Sequence, residues 1–296
     1  MDYKWLEARR KGIGGSDAPA ICGVSPWKTP LQVYMDKIGD LGPKEDTDPM
    51  FWGRTLEPVI RQRYADLTGR AVVVPDGILQ HPEHDWMLAN VDGLTDDGRL
   101  VEVKTARTPQ GWGDEGTDEI PEMYLIQVQH YLSITKLEVA DIPVLFGGSD
   151  FRIYEVQADK ELQDLIMERE AGFWKLVQAR TPPDPVTFAD IKLKYGYESR
   201  EARIAATDEI IQAIHRLHEL KALSDEEEAL KTKIMLHLKE ADTLVDGESV
   251  LATWKASVKP VNRFDAKAFE VEHPDLYKKF LKESTASRRF LLKPIK

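Results

Sequence analysis

The sequence predicts an α/β (α+β) core, a central mixed β-sheet flanked by helices, followed by a helical extension and a small basic one. Three observations carry that expectation. Up to about residue 180, short β-rich runs bounded by Gly, Pro and Asp alternate with helical patterns. ThrProProAspPro at 181–185 then punctuates the chain, and beyond it apolar residues fall at three-and-four spacing among abundant charge. Finally, eleven Lys/Arg stand against five Asp/Glu from Thr253 onward, although the whole chain carries −11. The expected organisation is a catalytic-size domain over 1–185, a long helix or helical hairpin over 186–245, and a basic accessory region over 246–296.

The elements follow in order. GlyIleGlyGlySer at 12–16 reads as a loop, with Ser16 placed to N-cap a short helix from Asp17. Thr29-Pro30 opens a second helix through Lys37, which Gly39 ends. After a polar loop at 42–49, Phe51 to Thr68 is helical in pattern. Arg70 to Leu79, Trp86 to Val91 and Leu100 to Lys104 then read as three consecutive strands. Tyr124, Gln127, Val128, Tyr131 and Leu132 recur at helical spacing. Val139 to Phe146 and Phe151 to Val156 pair around Gly147-Gly148, and Asp159 to Gln178 is helical. Past Pro185, the run from Ile204 to Leu238 is amphipathic, and Ser224-x-x-Glu227 as a capping box would favour a hairpin there. Val250 to Trp254 reads as a strand and Pro274 to Lys282 as a short helix.

Composition removes whole classes of function. With 296 residues, 42% of them apolar, the chain can bury a sizeable core, while 31% charged residues and a mean hydropathy of −0.41 describe a water-facing surface. No run approaches the ~20 apolar residues of a membrane span. The N-terminus lacks the apolar stretch of a secretory signal, and the single Cys22 has no internal disulfide partner, so a reducing, cytoplasmic setting is expected. One cysteine also excludes a protein-held iron–sulfur cluster and a paired-CxxC zinc site, leaving carboxylates as the metal donors. The net −11 argues against coating nucleic acid by bulk attraction.

The informative stretch is Asn90-Val91-Asp92-Gly93-Leu94 followed by Val101-Glu102-Val103-Lys104. Asp92 ends one expected strand, and Glu102 and Lys104, two apart on another, share a face of the pleat. Two carboxylates meeting at a strand end suit Mg²⁺, and a neighbouring Lys can orient an attacking water. Taken alone, the same residues fit a hairpin with a solvent-facing salt bridge. The flanking Trp52-Gly53-Arg54-Thr55-Leu56-Glu57 and Tyr124-Leu125-Ile126-Gln127-Val128-Gln129 favour the first reading.

In that order and context, Ser16, Glu57, Asp92, Glu102 with Lys104, and Gln127 resemble the lambda-exonuclease and YqaJ-type phage recombinase family of the PD-(D/E)xK nuclease superfamily, over roughly residues 8–180. The resemblance implies a restriction-endonuclease-like core. It also implies a Mg²⁺ (or Mn²⁺) site of Asp92, Glu102, the Val103 carbonyl and Glu57, with Lys104 positioning the nucleophilic water and Gln127 completing the set. Arg10 and Ser16 match positions that receive a terminal 5′-phosphate; Asn90 stands where the resemblance leads one to expect a serine, and Arg107 is placed to reach DNA phosphate. Asp17, a carboxylate beside that phosphate, is expected either to face the metal or to cap its helix. The implied activity is 5′ to 3′ degradation of double-stranded DNA by a ring-shaped trimer, generating 3′ single strands for an annealing protein in a phage or prophage setting. A structure-specific or restriction-like endonuclease of the same superfamily is the nearest alternative, and a non-catalytic DNA-binding scaffold subunit a further one.

The remaining candidates have plainer readings. Trp112 and the loop over 111–118 suit either a gate or a surface loop. His81 with His84, and His215 with His218, have metal-compatible spacing without carboxylate support, and Cys22 suits a small buried residue. In the tail, Lys255, Lys259, Arg263, Lys278, Lys279, Lys282, Arg288 and Arg289 interleave with Phe264, Phe269, Tyr277, Phe280 and Phe290, a pattern suited both to nucleic acid and to a small aromatic core.

Overall fold

The computed structural model describes residues 3–41, 46–196, 205–238, 241, 243–246, 248–253 and 266–281, and its contacts group into two units, Met1–Lys194 and Tyr195–Lys296. The first unit opens with helix α1 (Tyr3–Arg10), strand β1 (Ile13–Gly14) and the four-residue helix α2 (Ala18–Ile21). Helix α3 (Pro30–Ile38) starts where the sequence says it should. Thr29 Oγ1 accepts from Gln32 N at 3.2 Å and Gln32 Oε1 accepts from Thr29 N at 3.2 Å, a reciprocal cap, while Gly39 ends the helix at φ 87°. Helix α4 (Asp48–Thr68) begins three residues before the expected Phe51, because Pro49 fits the first turn, where no intrahelical N–H is needed.

Strands β2 (Val72–Val73), β3 (Leu79–Gln80), β4 (Met87–Ala89), β5 (Gly93–Thr95), β6 (Leu100–Val101) and β7 (Lys104–Ala106) come next. They belong to two sheets. β4 lies between β1, in parallel, and β3, antiparallel. β2 pairs antiparallel with β5, and β5 with β6. The expected single strand from Arg70 to Leu79 is therefore two strands in different sheets. Gly93–Thr95, just past the expected strand end at Asp92, is itself a strand; a Cβ on Gly93 would collide with the Val72 side chain, so glycine permits the β2–β5 contact.

Helix α5 (Glu122–Thr135), strands β8 (Val139–Phe146) and β9 (Asp150–Gln157), and helix α6 (Lys160–Gln178) complete the core. β6 and β7 run parallel to β8 in one register, Leu100 opposite Ala140 and Lys104 opposite Val144, and β9 pairs antiparallel with β8. α5 is buried from Ile126 to Ile134, on every side rather than one. Its polar residues are accordingly paired. Gln129 Nε2 donates to the Gln157 carbonyl at 2.7 Å, and His130 sits between Glu170 (2.7 Å) and the Leu88 carbonyl (3.0 Å). Glu170 outweighs the cost of burial and holds the His130 imidazole above its ordinary pKa. The main apolar cluster joins Met87, Leu100, Val128, Leu132, Ile142, Phe146 and Tyr154. At its edge Asp141 accepts from Tyr64 Oη at 2.5 Å and from Arg99 Nη2 at 2.6 Å, tying α4 to the sheet.

This unit runs past Pro185. Helix α7 (Phe188–Tyr195) is anchored by buried Asp190, which accepts from Thr29 Oγ1 at 2.7 Å and from Val186 N at 3.1 Å. The break in packing falls at Lys194 because α7 folds back onto α3, which the proline cluster does not reveal. The second unit contains one uninterrupted helix, α8 (Asp208–Leu238), then a hairpin of β10 (Thr243–Asp246) and β11 (Ser249–Thr253), and helices α9 (Ala266–Glu272) and α10 (Pro274–Phe280). Ser224 stays helical, so the hairpin alternative for the amphipathic run is not adopted, and the β10–β11 pair spans the expected boundary at 245/246. Much of the basic aromatic tail, including Lys255, Lys259, Arg263, Phe264, Lys282, Arg288, Arg289 and Phe290, lies outside the described residues.

Candidate active site

The site begins at a gap in a strand. Glu102 N donates to the Asp141 carbonyl at 3.0 Å, as the β8 ladder requires, but Val103 N donates to Asp92 Oδ2 at 2.8 Å. One backbone bond is thus diverted to a side chain, and the strand from Leu100 to Ala106 is interrupted at Glu102–Val103. Asp92 itself lies where the chain leaves β4 of the small sheet and enters β5 of the large one. Across the gap Glu102 and Lys104 still meet, Lys104 Nζ donating to Glu102 Oε1 at 2.6 Å. Gln127, from α5, closes the cluster: its Oε1 accepts from Lys104 Nζ at 3.0 Å and its Nε2 donates to Glu102 Oε1 at 2.7 Å.

Charge in this cluster is under strain. Burial, then the carboxylates of Glu102 and Glu57, push Asp92 up to about 8, against the opposing pull of Lys104 and the Val103 N–H. Burial also raises Glu102, despite Lys104, while Glu102 and Asp92 outweigh burial and keep Lys104 protonated above its ordinary value. Lys104 Nζ further lies 4.8 Å from the centroid of the Tyr124 ring. Two carboxylates that resist ionising together form a donor set short of one cation. Glu102 Oε2 points the same way, being buried with no hydrogen-bond partner among the described residues. These residues fit a hard divalent cation such as Mg²⁺. Among the described residues no three His, Cys, Asp or Glu side chains gather into a ready-made metal cage. Glu57, on α4, faces Arg61: Arg61 Nη1 donates to Glu57 Oε1 at 2.8 Å and to the Asp92 carbonyl at 3.0 Å.

A cavity of about 100 Å³ adjoins this cluster, lined by Arg9, Gly14, Gly15, Ser16, Ile78, Leu88, Asn90 and Tyr131. Arg9 Nη2 donates to Ser16 Oγ at 2.9 Å. Beneath them Asp17 is fully buried, with Lys37 Nζ at 2.7 Å, Lys28 Nζ at 3.6 Å and Arg9 Nη2 at 3.7 Å. Burial alone would raise its pKa, but the Lys37, Arg9 and Lys28 cations outweigh it and hold the carboxyl well below the usual range. Lys37 Nζ also donates to the Arg9 carbonyl at 2.9 Å, fixing the end of α1. Tyr131 Oη accepts from Gln127 Nε2 at 3.3 Å, so one phenol touches both the cavity and the carboxylate cluster.

The structure therefore brings together Asp92, Glu102, Lys104 and Gln127, with Val103 contributing its N–H to Asp92 and Glu57 held to one side by Arg61. Ser16 and Asn90 share the cavity. Arg10 does not: its Nη2 donates to the Leu41 carbonyl at 3.5 Å, and Arg9 takes the place beside Ser16. One helical residue turns a side chain by about 100°, enough to exchange the two arginines. Arg107 is exposed beyond β7, away from the cavity lining. Asp17, not the expected Ser16, occupies the N-cap position of α2, but its carboxylate makes no capping bond and does not join those of Glu102 and Asp92; the four residues of α2 are too few for a helix-terminus anion site. Trp112 is no gate, since its ring packs on Tyr124, Phe146 and Tyr154 at 5.0–5.5 Å. His81 accepts from Glu83 N and His84 N at 3.1 Å each, a local turn bond. Cys22 is half-buried rather than buried, and its partial burial pushes the thiol up to about 11. Arg9 and Arg61 lie beside these groups without a spacing signal, and the helical spacing of Tyr124 and Tyr131 marks them only as residues of α5.

Comparison with known proteins bears on the family and the fold. A family model described as a YqaJ-like viral recombinase domain matches residues 4–138. The Bacillus subtilis (strain 168) protein YqaJ is 36% identical over 307 residues, covering 99% of this chain and 94% of its own length. Protein R354 of Acanthamoeba polyphaga mimivirus is 26% identical over 151 residues, 47% of this chain and 27% of that one. Among solved structures, the alkaline exonuclease LHK-Exo from Laribacter hongkongensis matches with a TM-score of 0.50 at 20% identity, over 61% of this chain and 94% of the other. Its complex with dAMP matches with a TM-score of 0.50 at 19% identity, over 65% and 97%. The shared feature is the restriction-endonuclease-like fold, a mixed sheet flanked by helices. By the extent and identity of the Bacillus match, together with the domain match, this chain belongs to the YqaJ-like viral recombinase family.

Proposed function

We propose that the chain is a Mg²⁺-dependent exonuclease, with Mn²⁺ able to substitute, that degrades double-stranded DNA from a 5′ end and leaves 3′ single strands for an annealing protein in phage-type recombination. The observation that carries the reading is the Lys104 ammonium bonded to Glu102 and Gln127 beside Asp92, with one Glu102 oxygen buried and unpartnered. Asp92, Glu102 and the Val103 carbonyl would hold the ion, with Glu57 close by. Bound there, Mg²⁺ supplies Lewis-acid polarisation of the phosphoryl oxygen and a lowered pKa for water.

The protein's own groups do the rest. Lys104, kept protonated by Glu102 and Asp92, donates to the attacking water or to a phosphoryl oxygen as negative charge develops. Gln127 holds Lys104 and Glu102 in register through its two amide atoms. Water adds to phosphorus, the P–O3′ bond breaks, the O3′ leaves and takes a proton, and a 5′-mononucleotide is released. A neighbour with this fold binds dAMP, which suits a mononucleotide product. The cavity beside the cluster supports action from an end. Arg9 offers a guanidinium, Ser16 a hydroxyl and Asn90 an amide to a terminal 5′-phosphate. A trimeric ring would provide the processivity that a chain of charge −11 cannot obtain from bulk attraction.

The deciding experiment is digestion of linear duplexes bearing 5′-phosphate or 5′-hydroxyl ends, alongside closed circular DNA, with and without Mg²⁺. Mononucleotide release from phosphorylated linear ends only with Mg²⁺ is expected. Cleavage of closed circles would replace the exonuclease reading with an endonuclease one, and no release from any substrate would leave a DNA-binding subunit.

A further inference from the structure

Tyr131 forms part of the wall between the cavity and the carboxylate cluster. Its ring packs so closely under Gly15 that a Cβ there would run into it. Its hydroxyl, on a residue only 5% exposed, accepts from Gln127 Nε2 at 3.3 Å, and Gln127 in turn bonds Glu102 Oε1 at 2.7 Å and Lys104 Nζ at 3.0 Å. A phenol can accept and donate at once. With the Gln127 bond accepted, the phenolic proton has no acceptor among the described residues, and Tyr131 also lines the cavity with Arg9, Ser16 and Asn90. A buried donor without an acceptor is costly, and an anionic oxygen in the cavity would satisfy it.

We propose that Tyr131 is a positioning residue that couples end capture to hydrolysis: its hydroxyl donates to an oxygen of the terminal phosphate while accepting from Gln127, so a filled cavity fixes Gln127 and, through it, Lys104 and Glu102. This rests on the reading of the cavity as the terminal-phosphate pocket. Under it, a 5′-phosphate improves kcat as well as KM. Contacts from Arg9 and Ser16 alone would improve chiefly KM.

The test is the ratio of kcat on 5′-phosphorylated duplex to kcat on 5′-hydroxyl duplex, measured with Mg²⁺ for the wild type and for Tyr131→Phe. Phenylalanine keeps the ring under Gly15 and removes only the oxygen. A hydrogen bond to a charged group is worth about tenfold or more, so the ratio is expected to fall at least fivefold in the variant. If the wild-type ratio exceeds one and the variant keeps it, whatever the absolute rates, the coupling role is overturned and Tyr131 is a packing residue; the phosphate pocket stands. If the wild type shows no difference between the two ends in kcat or KM, the pocket reading falls, and this inference with it.

Discussion

Lys37→Met isolates the charge that supports the cavity. Lys37 and Asp17 are both buried, their side chains 1% and 0% exposed, with Nζ 2.7 Å from Oδ2. Methionine fills much of the same volume but leaves Asp17 with Arg9 and Lys28 at 3.7 and 3.6 Å, both partly solvated. Removing one partner of a buried pair costs about 3–5 kcal/mol, because the other charge stays buried and unpaired. For a unit of this size, roughly 2–4 °C of Tm accompany each kcal/mol, so a fall of about 6–20 °C is expected. Thermal and urea unfolding of the full chain measure it, with Asp17→Asn and the double variant closing the cycle. The double variant should recover part of the loss. The sign with pH is also fixed: a carboxyl depressed by folding contributes stability above its unfolded value of ~3.9 and loses it as pH falls below. The gap between wild type and Lys37→Met should therefore narrow below about pH 4. A loss under ~1 kcal/mol at pH 7, or a gap that widens in acid, would refute the claim that Lys37 is the main counter-charge of Asp17.

Other expected outcomes concern chemistry and assembly. Asp92→Ala or Glu102→Ala should abolish mononucleotide release while gel-shift affinity for duplex DNA persists, and Lys104→Arg should not restore what Lys104→Ala loses, because a planar fork does not replace a compact ammonium. Since burial and the Glu102 and Glu57 carboxylates push Asp92 up to about 8, Mg²⁺ must displace a proton at lower pH; the Mg²⁺-induced rise in Tm should be larger at pH 8.5 than at 6.5, and less dependent on pH in Asp92→Asn, where the raised Glu102 carboxyl remains. Gly15→Ala, by pressing on Tyr131, should lower nuclease activity several-fold with a smaller effect on Tm. Light scattering at micromolar concentration should report a trimer, and a chain ending at 196 shows whether assembly needs the second unit; a monomer for the 296-residue chain would remove the ring.

Much of the site was legible because its signals are local. Glu102 and Lys104 share a face by simple alternation, and Thr29, Gln32 and Gly39 delimit a helix by their own hydrogen bonds and φ. The arginine at the cavity was not, since Arg9 and Arg10 differ only in azimuth on α1, which packing against α3 decides. Asp17 was ambiguous for a related reason: Lys28 and Lys37, which settle its role, are eleven and twenty residues away. Arg61, Tyr124 and Tyr131 look like ordinary helix residues until α4 and α5 are docked on the sheet. Ser224-x-x-Glu227 shows the converse, a local cap signal overridden inside a continuous α8, where a capping side chain has no exposed N–H to receive. The boundary at 194 rather than 185 was invisible because the bond that makes it, Thr29 to Asp190, spans almost the whole unit.

The diverted Val103 amide gives the site a spectroscopic handle. Its proton rests, at 2.8 Å, on the carboxylate proposed to hold the metal. Its ¹⁵N–¹H resonance should move downfield as Asp92 loses its proton near pH 8, and shift again when a cation competes for the same oxygens. A single backbone signal would then follow the charge state of the candidate active site without substrate, inhibitor or mutation.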